Sequence, residues 1–162
     1  MQDEKKIVIR PVKLSDYQDI HKNLFLESTE ASIKEELEKE LPYQVDGTYL
    51  RCIAQVDGNV VGQVCFYRLS ISGKTHIVKL SSAEVAQNYQ DAGLFSQMFS
   101  FGLDWVTSLN GVEMIVLFVR AGTKAESIYR HLGFKEFGRL NKGIKELSGD
   151  TYDEVYMVKM LY

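Results

Sequence analysis

The stretch AEVAQNYQDAGLFSQM, Ala83–Met98, decides how the chain folds. The residues before it, His76 to Leu80, read as a strand. After it, Leu94, Phe95, Met98, Phe99, Leu103, Val106 and Leu109 recur at three- and four-residue intervals, which is the period of a helix. A further apolar run from Glu113 to Val119 reads as the next strand. Strand, tight polar turn, helix and strand make a βαβ unit, with parallel strands and a right-handed crossover. The turn from Gln90 to Gly93 ends at a helix N-terminus, whose unpaired N–H groups and dipole favour an anion. Gly93 has no Cβ, so the backbone can come close to such a ligand.

Working outward, Lys6 to Val12 is an apolar first strand that stops near Pro11. Ser15 to Gln18 has the capping-box pattern and starts a helix carrying Tyr17, Ile20, Leu24 and Phe25. Ile33 to Leu41 is a second amphipathic helix, ended by Pro42. Tyr49 to Val56 and Val60 to Arg68 flank Asp57-Gly58-Asn59 as a hairpin. A turn at Gly58-Asn59 would set Cys52 directly opposite Cys65, and a reducing compartment would keep both as small core residues. The helix from Gly93 to Ser108 is apolar over most of its circumference, so it is expected to be sandwiched, with Trp105 and its phenylalanine neighbours in the core. Thr123 and Glu126 form another capping box, Gly133 fits the position after that short helix, and Phe134 to Leu140 and Val155 to Leu161 are closing strands. The order β-α-α-β-β-β-α-β-α-β-β specifies an α/β (α+β) fold, a mixed central sheet with helices on both faces. Residues 1–162 are expected to form a single domain.

Composition narrows the function. With 45% apolar and 25% charged residues the chain is ordinary globular protein. A net charge of -3 leaves no basic footprint for nucleic acid. No apolar run has the length of a membrane span, and the N-terminus lacks a signal-peptide core, so the expected location is cytoplasmic. The three histidines are scattered and no spacing suggests metal ligation. Six acidic and two basic residues lie between Glu27 and Glu40, the pattern of a solvated helix face.

The turn carries a family resemblance. Gln90 and Gly93 match the acyl-CoA pyrophosphate loop of the GNAT acetyltransferase superfamily, Arg/Gln-x-x-Gly-x-Gly/Ala, with Asp91 where many members have Gly and Phe95 where the last Gly or Ala falls. Downstream, Ala125 to Phe134 resembles the family's Ala-x-x-Leu-Tyr-x-x-x-Gly-Phe segment through Ala125, Tyr129, Gly133 and Phe134. Ile144 to Met157 resembles the C-terminal strands of the amino-acid and antibiotic N-acetyltransferase branch. The resemblance extends from about Val8 to Met160. It implies two splayed parallel strands around the βαβ unit, acetyl-CoA as co-substrate, and a small primary amine as acceptor. Under it the acidic stretch would rim the acceptor pocket and attract a cationic amine, and a homodimer is left open.

The resemblance also distributes roles. Ala83, Glu84 and Val85 would offer strand-edge groups to the pantetheine arm of acetyl-CoA. Gln90, Asp91, Ala92, Gly93, Leu94, Phe95 and Ser96 would cradle the pyrophosphate. Gly122 replaces the family's asparagine, so a cofactor hydrogen bond is lost or passes to Thr123. Tyr129 takes the general-acid position beside the departing sulfur, and Glu84 is placed to act as base, directly or through water. Asp91, as a favoured N-cap residue, would direct its carboxylate onto the amides that the pyrophosphate needs, or else point to solvent and be silent. Two other readings keep the fold and change the activity: transfer to protein N-termini or lysines, and a weakened CoA-binding module without turnover.

Overall fold

A computed structural model describes residues 3–162. Seven strands form one mixed sheet: β1 (Ile7–Pro11), β2 (Tyr49–Val56), β3 (Asn59–Arg68), β4 (Ile77–Val85), β5 (Met114–Arg120), β6 (Lys135–Lys145) and β7 (Thr151–Met160), in the order β1-β2-β3-β4-β5-β7-β6. The helices are α1 (Tyr17–Asn23), α2 (Glu30–Val45), α3 (Leu94–Ser108) and α4 (Lys124–His131). Element types and order are those the sequence specifies. The parallel ladder between β4 and β5 holds three pairs, Ile77 with Met114, Val78 with Ile115 and Lys79 with Val116, while β4 runs on to Val85 and β5 to Arg120.

The chain divides into two compact units. The first comprises the chain up to Arg68 together with Ser82–Leu109. Its strands are covered on both faces. Ile20, Ile33 and Leu37 of α1 and α2 meet Val12, Ile53 and Val60 in one cluster. Burying each such side chain contributes roughly 1.5–3 kcal/mol. On the other face, α3 packs on β1, β2 and β3. A Cβ on Gly102 would run into the Phe66 ring, so glycine is required at this approach although it weakens a helix interior by about 1 kcal/mol. The α3 helix is one-sided, because Ser96, Gln97, Ser100, Asp104 and Thr107 are exposed; it is not sandwiched as its composition suggested.

The second unit is Leu69–Ser81 with Asn110–Tyr162. Ile115, Leu117, Val119, Val155 and Met157 are buried on one face of its strands. The opposite face carries Phe118 and Phe137 beside Tyr156, with ring centroids 4.6 and 6.1 Å from it, and both phenylalanines remain about half exposed.

Three local expectations are corrected. The hairpin turns at Asp57-Gly58, both at positive φ, so Val56 pairs with Asn59, and an extra residue at Val61 shifts the register once more. Cys52 then pairs with Val64, and Cys65 with Arg51. One register step puts the two cysteines on opposite faces, where both are buried and free. The expected Ser15–Gln18 capping box does not form: Asp16 precedes the first helix and makes no side-chain cap to it, serving the turn before it instead. In a 3-10 turn at Leu14–Asp16, the Asp16 carboxylate accepts from the Lys13 N–H at 2.7 Å and from the two terminal nitrogens of the Arg10 guanidinium. Pro42 does not end α2, which continues to Val45. Its last turn is held from outside: the Gln44 amide donates to the Val12 carbonyl at 3.1 Å and accepts from the Arg51 N–H at 3.0 Å.

Candidate active site

In the first unit, β4 carries Ala83, Glu84 and Val85 at its C-terminal end. Ser82, just before them, has φ +51° although it is not glycine and lies inside a strand. Its carbonyl accepts from the Gln63 side-chain amide at 3.0 Å. Crowding by protein raises the pKa of the Glu84 carboxyl. Past Val85 the chain is anchored by the Ala86 N–H, which donates to Val61 O at 2.8 Å. A 3-10 turn at Gln87–Tyr89 follows. The Gln90 side-chain amide donates back to the Val85 carbonyl at 3.2 Å, bracing its own loop.

The loop delivers Gly93 as the N-cap of α3, at φ +71°. Here the left-handed conformation is the reason for glycine, since nothing lies within 4 Å of where a Cβ would be. Asp91 is therefore not the N-cap, contrary to the expectation from its residue type. Gly93 supplies no side-chain cap to the amides of Leu94, Phe95 and Ser96, the first turn of a helix of fifteen residues. Phe95 stacks on Phe99 at 6.4 Å, continuing to Phe66. A polar cavity of about 290 Å³ opens beside the same loop, lined by Lys22, Asn23, Asn59 and residues 87–89; no residue that the sequence nominated lines it.

In the second unit, Thr123 caps α4, accepting from the Glu126 N–H at 3.3 Å and donating its hydroxyl proton to Arg120 O at 2.8 Å. The capping box is only half formed, because the Glu126 carboxylate accepts from the Gly122 N–H at 3.1 Å instead of from Thr123. Gly122 stands at φ +76°. The helix closes with the Gly133 N–H on Arg130 O and the Phe134 N–H on Tyr129 O, a Schellman pair made possible by Gly133 at φ +92°. Tyr129 is buried, its ring edge-to-face with Phe134 at 5.7 Å. Gly133 and Phe134 are thus the residues that fix Tyr129.

Two polar residues that the sequence did not nominate are buried to about 1% exposure, Arg51 and Gln63. Their signal was available: each occupies an inward position in an otherwise apolar strand. Among the described residues, no group of three or more His, Cys, Asp or Glu is placed to hold a metal ion.

A family model described as the acetyltransferase (GNAT) family matches residues 16–134. The chain belongs to the GNAT acetyltransferase family. As a GNAT protein it is an acyltransferase, and its sheet, with the short parallel ladder at β4 and β5, is the family's fold. Solved structures agree on the fold at low identity. A spermidine N-acetyltransferase chimera built from Vibrio cholerae and human sequences has 19% identity and a TM-score of 0.77, covering 95% of this chain and 95% of that one. A ribosomal-protein-alanine N-acetyltransferase from Brucella melitensis has 22% identity and a TM-score of 0.76, covering 95% and 99%. An acetyltransferase structure from Salmonella typhimurium with its cofactor acetyl-CoA has 19% identity and a TM-score of 0.78, covering 96% and 94%. No curated protein sequence matches the chain at a significant level.

Proposed function

We propose that this GNAT acetyltransferase transfers the acetyl group of acetyl-CoA to a primary amine of a small molecule. The observation that carries the reading is the start of α3. A left-handed Gly93 without a side-chain cap leads into the first-turn amides, within the loop that matches the family's pyrophosphate pattern. Such a terminus suits an anion through its N–H groups and dipole together. Residues 83–85 are proposed for the pantetheine arm and residues 90–96 for the pyrophosphate. Gly122 and Thr123 are further cofactor contacts; the Thr123 proton is already given to Arg120 O, so its hydroxyl can only accept from the cofactor.

The chemistry assigned to the chain is two proton movements around one displacement. The amine nitrogen bonds to the thioester carbon and the carbon–sulfur bond breaks. Glu84 takes the proton lost by the amine, for which its raised carboxyl pKa suits it. Tyr129 gives its phenolic proton to the thiolate that leaves. The acidic residues of α2 support a cationic acceptor, and the similar structures include both a spermidine and a ribosomal-protein-alanine acetyltransferase, so the test panel spans both kinds. The test is acetyl-CoA thiol release with a panel holding spermidine, neutral amines and a peptide with N-terminal alanine, products identified by mass spectrometry. Turnover of small amines supports the reading, turnover of the peptide alone replaces it with protein acetylation, and no turnover with retained binding makes the chain a CoA-binding module.

A further inference from the structure

The first unit contains a hydrogen-bonded relay that runs from an exposed helix face into β4. At its outer end are Glu36 and Glu40 of α2. The Arg51 Nη2 donates to Glu36 Oε1 at 2.8 Å and to Glu40 Oε1 at 3.1 Å. Tyr49 donates its hydroxyl to Glu40 Oε2 at 2.8 Å and accepts from Arg51 Nε at 3.2 Å. The Arg51 Nη1 donates to Gln63 Oε1 at 3.4 Å, and Gln63 Nε2 donates to the Ser82 carbonyl at 3.0 Å. Among the described residues, no buried side-chain nitrogen or oxygen is left without a partner.

The direction of this relay is fixed by chemistry. A guanidinium can only donate, so Arg51 obliges Gln63 to turn its oxygen toward it and its NH₂ toward β4. Only a donor can meet the Ser82 carbonyl, which is why an amide serves here and a carboxylate would not. Ser82 stands at a left-handed φ of +51° inside β4, and the Gln63 amide is the side-chain donor bonded to its carbonyl. No described peptide is cis, so the Ser82–Ala83 peptide is trans and planar. Fixing its C=O toward Gln63 therefore aims the Ala83 N–H the opposite way.

We infer that Gln63, oriented by Arg51, is a positioning residue that aims the Ala83 N–H at the pantetheine arm of acetyl-CoA. The inference rests on the proposed reading of residues 83–85 as the end of the strand that holds the cofactor. Gln63 touches no substrate; it acts through the peptide plane that Ser82 and Ala83 share.

The discriminating variant is Gln63→Glu, which keeps the size and an acceptor for Arg51 but cannot donate to Ser82 when ionised. Gln63→Met, which removes both bonds, is the second. Titration calorimetry compares acetyl-CoA with the nucleotide half of coenzyme A, which has the pyrophosphate and lacks the pantetheine arm. Both variants should bind acetyl-CoA about 10-fold more weakly, the worth of one backbone hydrogen bond, and the nucleotide half as wild type does. Equal weakening of the two ligands, or no weakening of either, overturns the role. If wild type itself binds no acetyl-CoA, the reading of residues 83–85 has failed. The relay is then judged on the Ala83 amide resonance of labelled protein, which must shift in a folded Gln63 variant; an unmoved resonance overturns it.

Discussion

Tyr129 reaches its position through its backbone as much as through its ring. Its carbonyl takes the Phe134 N–H while its ring meets the Phe134 ring, so one dipeptide after the helix fixes both ends of the residue. Replacing Tyr129 by Phe keeps that packing and removes only the proton donor. Turnover should fall ~10²–10⁴-fold, the usual worth of a general acid, with acetyl-CoA affinity unchanged. Steady-state rates beside calorimetric titration check this, and an unchanged rate would leave Tyr129 a packing residue. Glu84 makes a prediction with a sign. Because partial desolvation by the surrounding protein raises its pKa, the protonated form persists to higher pH than for an ordinary glutamate. A base must be ionised, so the rate should fall as pH drops through that raised pKa. Glu84→Gln should lower kcat about 100-fold and abolish the acidic limb of the pH profile. A limb that survives in the variant assigns the base elsewhere.

At the scale of elements, α2 shows how far sequence reading reaches. Its charges read as a uniform solvated face, yet the helix has two faces of opposite consequence. Glu35 pairs with Lys39 and Glu38 with Lys34 along the outside. Glu36 and Glu40 turn inward onto the buried Arg51. Glu35→Lys should barely move the melting temperature, whereas Glu36→Lys sets a second cation against Arg51 and should cost roughly 1–3 kcal/mol, reduced by its partial exposure. Thermal melts of the two variants decide it, and equal effects would mean that the ion pair to Arg51 carries no stability. The order and type of every element were legible because apolar periods and turn residues are local signals. The same holds for Gly133, which reads as the residue that closes the short helix, whereas Gly93 reads as a close approach to a ligand and the left-handed N-cap position it fills is expected at Asp91. What was not legible is set by tertiary contact. Pro42 reads as a helix end, but Gln44, held between Val12 and Arg51, carries the helix past it. Nothing in a serine announces the left-handed conformation of Ser82, or that its carbonyl is bonded by a side chain nineteen residues away. The register of Cys52 and Cys65 turned on the turn at Asp57-Gly58 together with one extra residue at Val61.

For the molecule as a whole, the acidic stretch is weaker than its count. Six carboxylates between Glu27 and Glu40 are offset by Lys34, Lys39 and Arg51. If a cationic acceptor is drawn by this field, its KM should rise only about 3-fold between low salt and ~0.15 M, where exposed charges are screened within ~8 Å. Initial rates for cationic and neutral amines across that range test the point, and a steep rise confined to cationic amines would require uncompensated acidic groups at the acceptor.

Neither compact unit is one continuous segment, and the two exchange the chain inside β4, at Ser81 and Ser82. This orders events during synthesis. The first unit has all its parts once Leu109 has left the ribosome. The Leu69–Ser81 segment has by then been made but lacks β5, its partner for Ile77, Val78 and Lys79. At bacterial or eukaryotic elongation rates of ~5–20 residues per second, it waits seconds for the rest of its unit. During that interval an apolar strand has no ladder partner on that side, and its edge stays unpaired until Met114–Val116 has been made.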